Sequence, residues 1–220
     1  TVSGSSLGGM QVLEWGILFS DFCHSIIPIS TSAAQTAWCI GLNAAARAAI
    51  MNDPDWENGH YSAQPARGLA LARMIGMISY RSPAEFSRRF GRTRGDESGN
   101  PYDPDNFFEI ERYLFHHGQK LVDRFDANTY LLLSRTMDLH DVTAGRGALE
   151  EVLGSITART LCIGVSSDHR YPPADQHEIV RWLRHGEYRE ISSLHGHDAF
   201  LIEFEQLNFL IHQFLRTFVS

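Results

Sequence analysis

Thr1-Val2-Ser3-Gly4-Ser5-Ser6-Leu7-Gly8-Gly9-Met10 opens the chain, and its reading decides the fold. Two or three strand-like residues run into a glycine-rich turn. Met10, Leu13, Ile17 and Leu18 then recur at helical spacing within 9–22. Inside this stretch Gly4-Ser5-Ser6-Leu7-Gly8 fits G-x-S-x-G. In a strand–turn–helix setting that pattern is a nucleophile elbow. Glycines on both flanks let the backbone turn sharply without Cβ clashes. The turn exposes Ser6 Oγ at a helix N-terminus, where the Leu7 amide is a candidate oxyanion-hole donor. The stretch has no initiator Met and no basic-then-apolar leader pattern. A strand rarely opens a chain with so few residues, so the expectation is that preceding sequence is missing or belongs to another chain.

Outward from the elbow, SIIPIST (25–31) reads as a buried strand. Residues 33–51, 67–80, 83–90, 107–124 and 127–138 read as helices, separated by the loops 53–59 and 91–106. TLCIGVS (160–166) is a second buried strand, 172–186 a helix with Pro near its start, and 188–194 a third strand. Residues 199–219 form a strongly apolar closing helix, with Phe204, Phe209, Phe214 and Phe218 read as core. Strand–helix alternation at both ends around a helical block predicts an α/β fold with a lid. The expected division is 1–32 and 156–220 for the core and 33–155 for the helical lid.

Of the 220 residues 43% are apolar and 20% charged, which is ordinary globular composition. No run of 18 apolar residues exists, so no membrane span is expected. The formal charge of −7 sets aside a general nucleic-acid binder, which would show a basic excess. Cys23, Cys39 and Cys162 match no zinc or redox spacing and read as reduced thiols of a cytoplasmic chain.

A nucleophilic serine needs a base, and the base an orienting acid. In elbow-bearing sheets the chain order is Ser, acid, His. Asp168 follows the apolar run Leu161–Val165, and His195-Gly196-His197-Asp198 follows the strand 188–194. Both positions lie beyond strand C-termini, where open α/β sheets build their sites. Spacing alone leaves His195 and His197 both open as the base. His116 and His117 are adjacent on a predicted helix and point about 100° apart. A metal pair would use i,i+4 spacing, so they read as structural and no metal site is expected. Cys23-His24 has no orienting acid nearby, and Leu139-His140-Asp141 reads as polar residues at a helix C-terminus, where His suits the dipole.

Seven segments carry a resemblance: SSLGGMQVLEW (5–15), NDPDWENGHY (52–61), GLALARMIGMISYRS (68–82), RRFGR (88–92), DRFDANTYLLLSRTMDLHD (123–141), SSDHRYPP (166–173) and GHDAFLIEFEQL (196–207). In this order they span nearly the whole chain, which resembles the homoserine O-acyltransferases of the α/β-hydrolase superfamily. The resemblance implies the α/β-hydrolase fold with a helical lid. It also implies ping-pong acyl transfer from acyl-CoA to the homoserine hydroxyl, a step of methionine biosynthesis. Ser6 matches the family nucleophile, Asp168 the acid and His197 the base, which favours His197 over His195. Arg73, Tyr80 and Asp198 match positions that contact the amino-acid substrate. Independently, Arg73 and Tyr80 are seven residues apart, which returns to one helix face roughly 10 Å along. Acetyl-CoA is the implied co-substrate, with succinyl-CoA the alternative because Leu7 follows the nucleophile. A homodimer through the helical lid is also implied. The family's earlier strands and second oxyanion donor, which precede the elbow, have no counterpart here. Two rival readings stand beside this one: an esterase with the same triad and water as acceptor, and an inactive fragment.

Overall fold

The computed structural model describes residues 1–216, and these divide into two compact units, one of residues 1–36 and 139–216 and one of residues 37–138. The first unit holds a parallel sheet in the order β1 (Val2–Ser5), β2 (Ser25–Ile29), β3 (Arg159–Val165), β4 (Gly186–Ile191). Ser5 pairs with Ile29, Ile29 with Ile163 and Val165 with Ile191, so the four C-terminal strand ends form one edge. The β2–β3 ladder skips Ile27 and Pro28. Pro28 has no N–H to give, and a proline inside a central strand interrupts pairing for that reason.

Alternating side chains leave the two sheet faces apolar. On one face Ile26 and Cys162 pack with Val12 and Leu13 of α1 (Leu7–Leu18). Val152, Leu153 and Ile156, in and just after α7 (Leu149–Gly154), and Ile179 of α8 (Pro173–Trp182) complete that layer. The other face carries Ile27, Ile29, Leu161, Ile163, Val165 and Ile191 under Phe200 and Phe214. Thus residues 33–36 and 139–155, read from the sequence with the helical insert, pack with the sheet, because Val142, Val152 and Leu153 belong to its core.

Three sequence expectations are corrected here. The stretch 53–59, expected as loop, is a 3-10 turn, Pro54–Gly59, opened by the Asp53 carboxylate accepting from the Asp55 amide. The closing helix does not run unbroken from 199. A 3-10 turn, Gly196–Leu201, precedes α9 (Phe204–Arg216). Phe204 and Phe209 are exposed, 60% and 59%, and only Phe214 is core, because α9 covers the sheet with the single stripe Leu207, Leu210, Ile211, Phe214. Phe218 lies outside the described residues.

The regular structure of the second unit is all helical, with one isolated bridge, Arg94 to Phe108. Its helices are α2 (Ala37–Met51), α3 (Ala66–Tyr80), α4 (Pro83–Arg89), α5 (Glu109–Val122) and α6 (Ala127–Asp138). Its core joins Ala46 and Ile50 of α2 to Leu69 and Ala72 of α3 and Leu121 of α5. Asp138 ties α6 to α2 by accepting from Arg47 at 2.6 Å and from Asn43 at 2.8 Å. No strand of the sheet falls within 33–155. Among the described residues no helix is long and apolar enough to cross a membrane.

Candidate active site

Ser6 stands between the last residue of β1 and the first of α1, with φ 54° and ψ −122°. A positive φ on a residue with a Cβ costs of the order of 1–3 kcal/mol and persists only where the surroundings enforce it. Here the backbone on both sides is tied down. Ser6 N donates to the Ile29 carbonyl at 2.9 Å. The Ser6 carbonyl accepts from Met10 N at 3.1 Å and from Thr31 Oγ1 at 3.0 Å. Leu7, Gly8 and Gly9 form the first turn of α1, whose N–H groups lack acceptors within the helix.

Of the two flanking glycines, Gly4 acts as its sequence reading has it and Gly8 does not. A Cβ on Gly4 would lie 2.5 Å from the Gly8 carbonyl oxygen, so the helix folds back onto the strand only because Gly4 has none. A Cβ on Gly8 would meet nothing within 4 Å. The second sterically obligatory glycine is Gly9, whose Cβ would stand 2.7 Å from Thr31 Cβ.

Asp168 follows the C-terminal end of β3, and His197 lies in the 3-10 turn after β4. Both are almost wholly buried, at 2% and 3% exposure. His197 Nδ1 lies 2.7 Å from Asp168 Oδ2. A carboxylate oxygen only accepts, so Nδ1 carries the hydrogen and Nε2 is left as the basic nitrogen. Asp168 Oδ1 accepts from the amides of Arg170 at 2.7 Å and Tyr171 at 3.0 Å. These bonds compensate the buried carboxylate and fix its direction. The imidazole sits between the rings of Tyr171 and Phe200, each 5.3 Å away by centroid. His195 caps the turn instead, its amide held by Ser193 Oγ at 3.1 Å. The structure therefore joins Asp168 to His197, and places Ser6 at the same sheet edge, after the parallel strand β1. Asp198 is the next residue of that turn and is partly exposed. Arg73 and Tyr80 belong to the helical unit, where the Arg73 guanidinium lies 5.4 Å over the Tyr80 ring.

Sequence reading missed the segment that follows β2. Ser30 has φ 45° and is fully buried, and its hydroxyl and that of Ser32 have no partner among the described residues. Gln176 of α8 donates to the carbonyls of Thr31 and Tyr171. No motif marks these residues, whose polar character surfaces only once the strand ends are side by side. His140 follows the C-terminal end of α6, as its sequence reading has it, and it is also half-buried. Its Nε2 is 3.1 Å from the Ser32 carbonyl, and burial pushes its pKa down. The Asp175 carboxyl is pushed up to about 6 by burial, then by Glu178 and Asp168. All three cysteines are buried thiols outside any disulfide, and among the described residues no group of three or more His, Cys, Asp or Glu is arranged to hold a metal ion.

Relatives of known name are similar to this chain along most of its length. The homoserine O-acetyltransferase of Nostoc punctiforme is 48% identical over 219 residues, covering 96% of this chain and 59% of its own. That of Moorella thermoacetica is also 48% identical, covering 97% and 58%. The chain thus spans somewhat under 60% of the length of these curated relatives. Among solved structures, a homoserine O-acetyltransferase from Bacillus anthracis superposes with a TM-score of 0.83 at 25% identity, over 90% of this chain and 54% of that one. Esterase E22 superposes with a TM-score of 0.87 at 25% identity, over 97% and 60%. No family model matches the chain.

Proposed function

Because the chain belongs, over the length it spans, to the homoserine O-acyltransferase family within the α/β-hydrolase fold, we propose that the complete protein moves an acyl group from acyl-CoA to the hydroxyl of homoserine. The observation that carries the proposal is the buried Asp168–His197 pair, bonded at 2.7 Å, at the sheet edge where Ser6 is held at φ 54°. In the first half-reaction His197 Nε2 takes the Ser6 proton and Oγ attacks the thioester carbonyl. The Leu7 amide, first in α1, donates to the oxyanion. The tetrahedral adduct collapses, CoA leaves as the thiol with the proton from His197, and Ser6 carries the acyl ester. In the second half-reaction His197 deprotonates the homoserine hydroxyl, which attacks the ester; the adduct collapses to the acylated product as His197 returns the proton to the departing Ser6 Oγ. Asp168 holds the imidazole tautomer and stabilises the imidazolium.

Arg73, Tyr80 and Asp198 read the acceptor in this proposal. A homoserine zwitterion offers a carboxylate to Arg73 and an ammonium to Asp198, and charge-assisted bonds of this kind are the strong ones. Acetyl-CoA is the favoured donor and succinyl-CoA the alternative. A homodimer through the helical unit is part of the reading, supported by apolar side chains such as Trp38, Ile78 and Leu132 that stand 55–68% exposed there. Cytoplasmic placement, with a role in methionine biosynthesis, is supported by three thiols outside any disulfide and by the relatives' names.

The likeness to esterase E22 favours one rival, hydrolysis by the same triad with water as acceptor. Both readings form an acyl-serine, and the acceptor separates them. The complete protein with acetyl-CoA should release a stoichiometric burst of CoA, and homoserine should then accelerate turnover and yield O-acetylhomoserine. Release indifferent to homoserine would favour the hydrolase. Ser6→Ala should abolish the burst and lower turnover by several orders of magnitude, since triad members act as a unit. A retained burst would remove Ser6 from the mechanism.

A further inference from the structure

α3 and α5 cross so closely that a Cβ on Gly118 would stand 3.0 Å from the Ala70 carbonyl oxygen. Arg73 is one turn beyond Ala70 and His117 is the residue before Gly118, so the crossing brings their positions together. The His117 ring lies 4.4 Å from that of Tyr113. Tyr113 in turn carries the Arg89 guanidinium over its face at 4.7 Å and packs with Met77 and Tyr80. Arg81, just past α3, is neutralised by Glu85 at 3.2 Å. Arg73 is not. Among the described residues it has its cation–π contact with Tyr80 and no carboxylate or hydrogen-bond partner. The Tyr113 hydroxyl is buried, on a residue 9% exposed, and is likewise without a partner among the described residues. A half-buried guanidinium, an imidazole and a buried phenol therefore stand together as donors in want of an acceptor.

We propose that His117 is the second residue of the carboxylate site headed by Arg73, giving an N–H to the acceptor's carboxylate while Arg73 supplies the fixed charge. This rests on the acyl-transfer reading and adds to it a specificity residue. Without a ligand, burial and the neighbouring basic groups, Arg73 first and then His116, Lys120 and Arg81, push His117 down to about 4. Of these groups Arg81 is, among the described residues, the one bound to a carboxylate, that of Glu85. At neutral pH the imidazole is uncharged and adds nothing to the repulsion around Arg73. A docked carboxylate reverses the local field, so the imidazole gains affinity for a proton. Acceptor binding then takes up protons on the acidic side of neutrality.

The test uses the complete protein. His117→Phe keeps a ring on Tyr113 and removes both nitrogens. The KM for homoserine should rise about tenfold, the worth of one hydrogen bond to a charged group, and by more than acylation of Ser6 slows. His117→Gln, which keeps one neutral donor, should fall between. In histidine-labelled protein the NMR titration that disappears in His117→Phe should move to higher pH with homoserine, and stay in place with 3-aminopropan-1-ol, which lacks the carboxylate. An unchanged KM in His117→Phe, or a titration that ignores homoserine, would overturn the assignment while acyl transfer stands. Failure of homoserine to accelerate CoA release in the unsubstituted protein would overturn the acyl-transfer reading, and this inference with it.

Discussion

At Gly4 there is no room for a methyl group, since the Gly8 backbone would lie 2.5 Å from it. Gly4→Ala must therefore open the elbow, and overpacking against backbone costs about 3 kcal/mol. Gly8→Ala adds a Cβ into open space on a helix and should be neutral or stabilising by up to about 1 kcal/mol. Denaturant midpoints of the two variants would check the contrast, and equal losses would refute it. The motif was legible in the sequence, but which glycine carries the constraint was not, because the clash is between backbone segments four residues apart. Asp175 gives a second expectation. Its folded pKa of about 6 lies above the unfolded value of about 4. The folded chain therefore keeps a proton that the unfolded chain releases, and stability falls as pH rises through that window. Asp175→Asn removes the term, so its stability relative to the parent should grow between about pH 4 and pH 6. A constant difference in melting temperature across that range would refute it.

At the scale of elements, the least visible support is Asp53, 7% exposed. Its Oδ2 accepts from the Gly68 amide at 2.6 Å, inside the first turn of α3, while Oδ1 accepts from Asp55. One carboxylate thus caps α3 and opens the 3-10 turn. Gly68 allows the approach, since its Cβ would meet the Ala49 carbonyl oxygen at 2.6 Å and Asp53 Cβ at 2.9 Å. Asp53→Ala leaves two amides short of an acceptor and should cost about 2 kcal/mol. Equilibrium unfolding would show it, and a loss below about 0.5 kcal/mol would mean that water replaces the carboxylate. The helix itself was evident from its periodicity. The cap comes from outside the helix, fifteen residues upstream of Gly68, and no local capping pattern announces it.

For the whole molecule, the proposed acyl transfer asks more than a triad. The sheet unit holds Ser6, Asp168, His197 and Asp198, and the helical unit holds Arg73 and Tyr80. Arg73→Lys keeps the charge but loses the planar fork that grips a carboxylate. It should slow the homoserine half-reaction by tenfold or more, and more than it slows acylation of Ser6, as read by separate single-turnover measurements. Equal losses in both would make Arg73 a structural or CoA-contacting residue.

Periodicity, punctuation and the elbow motif were enough, by themselves, to place the parallel strands, most helices and the serine, because those signals are local in the chain. The sequence also put an acid and a histidine at strand ends. It left His195 and His197 open on spacing, and chose between them only through family resemblance. The 2.7 Å contact with Asp168 belongs to His197 because the turn after β4 buries that ring between Tyr171 and Phe200. Likewise the exposed Phe204 and Phe209, the strained Ser30, and His117 beside Arg73 are outcomes of packing. Side chains distant in sequence acquire their electrostatics and burial from one another, and only the folded chain brings them within reach.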